Sequence, residues 1–188
     1  MAKRKAKTIP EYLTEEEIDR LFSVIKSPRD TAMFRLAYHR GLRASELGMI
    51  QVGDYREKAQ RIMIRRLKGS NSGEFPLVRS ERLAISAWLR IRGTAPGPLF
   101  TSRQHGRISR TRLDQLMKDY CAKAHIAPER AHMHALKHSC GTYLSAHDTD
   151  IVAIQDHLGH SNIQNTMIYV QVTNKRREQF AGRHSDWR

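Results

Sequence analysis

Arg61-Ile62-Met63-Ile64-Arg65-Arg66-Leu67-Lys68-Gly69-Ser70-Asn71-Ser72-Gly73-Glu74-Phe75-Pro76-Leu77-Val78 is the stretch on which the fold turns. Residues 61–67 read as a strand, 68–73 are turn-forming residues, and 75–78 read as the return strand. Such a run is a hairpin signal. It puts Lys68 at the tip. On both sides the apolar spacing is helical, so the chain is predicted to be mainly α with a small antiparallel β-sheet, an α+β fold.

Working towards the N-terminus, Arg43 follows Gly41-Leu42, and Gly41 suits the end of a helix that begins near Asp30 and carries Met33, Phe34, Ala37 and Tyr38. Arg43 then stands just past that helix or in the first turn of a short one ending near Ile50. An earlier helix opens at Thr14, with Glu17 three residues on completing a capping box, and Ile18, Leu21, Phe22 and Ile25 form its apolar face. Residues 1–10 hold Lys3, Arg4, Lys5 and Lys7 and few apolar groups, a basic arm. Towards the C-terminus helices are predicted over about 80–92, 110–125, 132–147 and 150–158, with 93–98 a loop. Ser161 with Gln164 forms a second capping box that opens a short helix carrying Tyr169. Residues 11–172 thus form one domain, followed by a C-terminal segment over 173–188.

The charge narrows the partner. Of 188 residues, 33 are Lys or Arg and 19 Asp or Glu, a formal charge of +14. With a pI near 10.3, a polyanion is the expected ligand, and double-stranded DNA the first candidate. Arg65 and Arg66, like the arm, are candidate DNA contacts. No apolar run approaches the roughly 20 residues that span a bilayer, and the arm lacks the apolar face of an interfacial helix, so no membrane role is expected. Cys121 and Cys140 show no disulfide or metal spacing, which fits a reducing cytoplasm.

The chemistry-bearing residues come in an ordered series: Gly41-Leu42-Arg43-Ala44-Ser45-Glu46-Leu47, Lys68-Gly69, His134-Ala135-Leu136-Lys137-His138, Leu158-Gly159-His160, then Tyr169. Each member has a plain reading on its own: a surface arginine paired with Glu46, a hairpin lysine, a basic patch, a capping histidine, a core tyrosine. Together they hold what a tyrosine nucleophile needs. Its hydroxyl, with a reference pKa of about 10, attacks a phosphodiester only if its proton is taken and the phosphorane charge is neutralised. A guanidinium at Arg43 grips two phosphate oxygens, with Glu46 fixing its fork. A lysine on a hairpin can follow and protonate a departing 5′ oxygen. Positions 134, 137 and 138 share one helical face, and a phosphate among them relieves their repulsion.

The series resembles the catalytic domain of the tyrosine recombinases, the phage-integrase family, over roughly residues 11–172. Its size and the Leu-x-His-Ser-Cys-Gly stretch at 136–141 are similar to the Fim-type inversion recombinases. The resemblance implies that Arg43, His134, Lys137 and His160 surround the scissile phosphate, that Lys68 protonates the 5′-hydroxyl, and that Tyr169 forms a 3′-phosphotyrosyl link, with Glu46 and His138 in support. It implies no cofactor, metal or ATP, a homotetramer on two DNA sites that exchanges the 173–188 segment between protomers, accessory DNA-bending or directionality factors, and a bacterial, phage or mobile-element setting. Two departures stand out. Lys137 occupies the position of the family's second arginine, which keeps the charge and loses the fork. The family's N-terminal clamp domain has no counterpart before Thr14, so weaker DNA holding is expected.

Two rivals follow. One is a non-catalytic DNA-binding protein on a recombinase scaffold, motivated by Lys137. The other is a metal-dependent nicking enzyme using His132-Met133-His134, which wants a strand so that both imidazoles share a face.

Overall fold

The computed structural model describes residues 10–67 and 70–170, together with Gly182. Helix α1 (Glu15–Val24) starts where Thr14 and Glu17 cap each other, Thr14 Oγ1 accepting from Glu17 N at 3.3 Å and a Glu17 carboxylate oxygen accepting from Thr14 N at 3.0 Å. Helix α2 (Pro28–His39) begins two residues before Asp30, capped by Ser27 with Pro28 in its first turn, where the missing N–H costs nothing. Past its C-cap, Arg40, the chain turns at Gly41, whose φ is +53°. A Cβ there would also collide with Leu158, so only glycine lets the chain turn this close to a neighbouring helix. Helix α3 (Ala44–Leu47) is one turn long, with Arg43 as its N-cap residue.

The sheet has three antiparallel strands in order: β1 (Tyr55–Arg56), β2 (Arg61–Ile64) and β3 (Gly73–Pro76). β2 pairs with β3 with Ile62 opposite Phe75 and Ile64 opposite Gly73. Ile62 and Ile64 are buried on its core face. β2 starts where the sequence suggests but stops three residues sooner, β3 starts two residues earlier than expected at the same length, and β1, only two residues long, has no alternating pattern by which to be read.

Helices α4 (Arg79–Arg92), α5 (Arg110–Lys123), α6 (Met133–Ala146) and α7 (Ile151–Leu158) complete the frame. α2 packs between α4 and α6, and α7 against α6. The main core gathers Leu21, Met33, Phe34, Leu36, Leu47, Ile85, Leu99, Leu113 and Leu136. A smaller cluster of Cys140, Ile154, Leu158 and Tyr169 closes the α6–α7 side. Beyond α7 the predicted capped helix is two 3-10 turns, Ile163–Asn165 and Met167–Tyr169. Asn162, not Ser161, caps the first, its side chain accepting from Gln164 N at 2.9 Å. Among the described residues, no helix is long and apolar enough to cross a membrane.

Candidate active site

Glu46 is the anchor of the first half of the site. It is 1% exposed, and its carboxylate accepts from Arg43 N at 2.9 Å, Arg43 Nη1 at 2.7 Å and Arg66 Nη1 at 3.1 Å. Burial alone would raise its pKa, but the bonds from Arg43 and the charge of Arg66 outweigh that and hold it below the usual carboxylate range. One face of the Arg43 guanidinium is thereby fixed, and the side chain stays about a third exposed, at 36%.

Helices α6 and α7 supply the other half. His134, Lys137 and His138 do share a face of α6, and with Arg43, His160 and Tyr169 they line one open depression. His134 lies at the surface, its pKa lowered by burial of its inner side and by the charges of Lys137 and Arg43. Lys137 is buried, at 1% exposure, and donates from Nζ to Leu158 O at 2.6 Å. Burial, then the charges of Arg66 and Arg43, bring its pKa down to about 7. His160 is buried, bonded through Nδ1 to Thr166 Oγ1 at 3.0 Å, and its ring stacks parallel to that of Tyr169 with 6.4 Å between centroids. Burial and then Lys137, Arg43 and Arg66 lower its pKa to about 4. Tyr169 is 5% exposed, and its hydroxyl meets His138 Nδ1 at 2.8 Å. Burial raises its pKa. The depression therefore combines one fixed guanidinium, a lysine poised near neutrality, neutral imidazoles and a tyrosine hydroxyl, groups whose chemistry suits an anionic ligand.

Residues 11–176 match the model of the phage integrase family. The chain belongs to that family. It is 34% identical over 167 residues to the type 1 fimbriae regulatory protein FimE of Escherichia coli K12, covering 84% of each chain. It is 31% identical to the tyrosine recombinase XerC of Erythrobacter litoralis, covering 87% of this chain and 56% of that one. Among solved structures, the XerA recombinase superposes with a TM-score of 0.80 at 24% identity, over 95% of this chain and 66% of that one. The XerH recombinase bound to its difH substrate before cleavage gives 0.79 at 20% identity, over 96% of this chain and 56% of that one. The chain spans a little over half of the XerC and XerH chains.

In this integrase-family chain, the residues read from the sequence fall into three groups. Arg43, Glu46, His134, Lys137, His138, His160 and Tyr169 come together as described. Lys68, Lys3, Arg4, Lys5 and Lys7, and the 173–188 segment apart from Gly182, lie outside the described residues. Arg66 is a correction: it is no surface DNA contact. Its side chain is fully buried, donating to Glu46, to Gly41 O at 3.1 Å, Arg40 O at 2.8 Å and His157 O at 2.8 Å, so no phosphate can reach it. Arg65 remains half exposed and pairs with Asp54 at 2.6 Å. The His132–His134 pair is not on a strand: His132 caps α6, its Nδ1 accepting from Ala135 N at 3.1 Å, with His134 inside the helix.

The sequence reading missed a second depression that shares Arg43 and His134 with the first and extends past His132 to Arg110, Asp114 and Lys118 on α5. The signal was present, since residues 110, 114 and 118 recur every four positions and so share a helix face. What the sequence did not say is that α5 packs beside α3.

Proposed function

We propose that this chain is a site-specific DNA recombinase that cuts DNA through Tyr169 and reseals it to a new partner without metal or ATP. The observation that carries this reading is the convergence of Arg43, His134, Lys137 and His160 on the depression that holds the Tyr169 hydroxyl. The scissile phosphate sits among the four. Arg43 contributes the only bidentate grip, Lys137 turns its ammonium from Leu158 O to the phosphate, and the imidazoles donate to non-bridging oxygens. Tyr169 attacks phosphorus, a 3′-phosphotyrosyl bond forms, and the 5′ oxygen departs with a proton from Lys68. The energy of the broken ester is kept in the new one, so rejoining is the same path reversed. Two DNA sites held by four protomers, each lending its 173–188 segment to a neighbour, complete the exchange, with accessory DNA-bending factors setting direction. The setting is the cytoplasm of a bacterium, at its nucleoid or on a mobile element.

A nicked substrate carrying the native site, incubated in EDTA and resolved on a denaturing gel, tests this. Wild type is expected to leave a covalent adduct and Tyr169→Phe none, while both bind DNA alike. Tight binding to the correct site with no wild-type adduct overturns the reading and leaves a DNA-binding protein on a recombinase scaffold.

A further inference from the structure

Tyr169 does not merely border α6. It is seated along one face of it. Residues 138, 141 and 145 are spaced i, i+3 and i+7 and so fall on one stripe of the helix. His138 Nδ1 meets the tyrosine hydroxyl at 2.8 Å. Gly141 leaves room for the ring, since a Cβ there would stand 2.6 to 2.8 Å from three ring carbons. Ser145 Oγ donates to the Tyr169 carbonyl at 2.7 Å. A glycine inside a helix costs about 1 kcal/mol relative to alanine, and the ring lying against it is the reason this one is in place.

We propose that this face of α6 is the seat of the nucleophile, and that His138 is the base that takes the Tyr169 proton as the hydroxyl attacks phosphorus. The proposal rests on the recombinase reading above and assigns the one proton that reading leaves without a destination. Among the described residues, His138 is the group hydrogen-bonded to the reacting oxygen. To accept at Nδ1 the ring must be neutral with its proton on Nε2. Burial, and then the charges of His134, His132 and Lys137, lower its pKa to about 4, so at neutral pH the ring is free to accept. The His134 ring stands edge-on to it at 4.5 Å. A phosphate entering the depression adds negative charge beside these groups and raises the affinity of His138 for a proton, so the base gains strength when DNA is bound.

The step balances. The Tyr169 O–H bond breaks and its proton moves to His138 Nδ1. The Oη–P bond forms, the P–O5′ bond breaks, and the 5′ oxygen takes its proton from Lys68. On rejoining, a 5′-hydroxyl gives its proton back to neutral Lys68 as its oxygen attacks phosphorus, the O5′–P bond forms, the Oη–P bond breaks, and the His138 imidazolium returns the proton to Tyr169.

The test uses the full chain and the nicked native-site substrate. His138→Asn places an amide oxygen where Nδ1 stood, an acceptor that is not a base. It is expected to bind DNA as wild type does and to form adduct on the order of 10²- to 10⁴-fold more slowly, the usual contribution of a general base. Difluorotyrosine at position 169, with a more acidic hydroxyl, should narrow the gap between wild type and His138→Asn. A bridging 5′-sulfur leaving group, which needs no proton, should leave the gap unchanged. Equal rates for His138→Asn and wild type, or a gap that difluorotyrosine does not narrow, overturns the proposal. If wild type itself forms no adduct, the recombinase reading fails and the seat is read by nitrogen NMR of the His138 ring. The Nδ1 signal should move in Tyr169→Phe, and an unmoved signal overturns the seat as well.

Discussion

Lys137 carries an ammonium into a buried place, and the consequences are those of a titratable group there. An arginine would stay charged at any pH a protein survives, whereas the folded-state pKa of Lys137 is lowered to about 7 by burial and the nearby Arg66 and Arg43 charges. The unfolded chain holds this proton to about pH 10.4. Between those limits the unfolded state binds more protons, so stability rises with pH by up to about 1.4 kcal/mol per unit, and below the folded pKa the destabilisation is complete. Lys137→Met removes it. Urea unfolding without DNA should therefore show the variant's stability relative to wild type at its best near neutrality and falling steadily towards pH 10. A difference independent of pH would mean that the ammonium stays charged throughout. The same lysine predicts proton uptake when a phosphate enters, since an anion at the depression restores its charge.

At the scale of elements, the hairpin is joined to the catalytic half by one buried arginine. Arg66 leaves β2 and ties together the end of α2 through Arg40 O and Gly41 O, the start of α3 through Glu46, and the end of α7 through His157 O. Leu158 O, one residue on, takes the Lys137 ammonium, so the guanidinium braces both halves of the depression at once. Arg66→Met leaves the buried Glu46 carboxylate with Arg43 as its cation and the long Leu67 N bond at 3.4 Å. Removing one partner of a buried pair costs on the order of 3–5 kcal/mol, and thermal unfolding should show it. A loss below about 1 kcal/mol would mean that the brace is redundant. This role was not legible in the sequence, where Arg65-Arg66 reads as a surface pair, because the partners that define it lie 20 to 91 residues away. What was legible depends on near neighbours. The Thr14–Glu17 box and the hairpin's turn residues carry their signals within a few positions, and the 134, 137, 138 face follows from helix period alone. The two-residue β1 and the Asn162 cap sit below that resolution, and the seat of Tyr169 on Gly141 joins residues whose proximity only the packed fold reveals.

At the scale of the whole molecule, the excess of positive charge is not spread evenly in effect. Much of the arginine complement is engaged internally: Arg40 with Glu81, Arg66 with Glu46, Arg65 with Asp54, Arg130 with Glu17 and Arg61 with Glu74. Such pairs add little to the field felt by a distant polyanion. The α5 face is different. Lys118 is exposed, and so is Arg110, although it pairs with Asp114 at 3.6 Å; both line the depression that continues from Arg43 and His134, so on the reading proposed above a DNA whose phosphate is held at Arg43 is expected to make its next backbone contact at Lys118. Each phosphate neutralised releases condensed counterions and steepens the fall of log K with log salt by about 0.9. Lys118→Ala should thus weaken binding by a similar factor for every DNA sequence and make that slope shallower by about one such contact, as read by fluorescence anisotropy across a salt series. Arg65→Ala, which removes a group already paired with Asp54 at 2.6 Å, should alter the slope less. A Lys118→Ala slope identical to wild type would place the DNA backbone elsewhere and confine the interface to the catalytic depression itself.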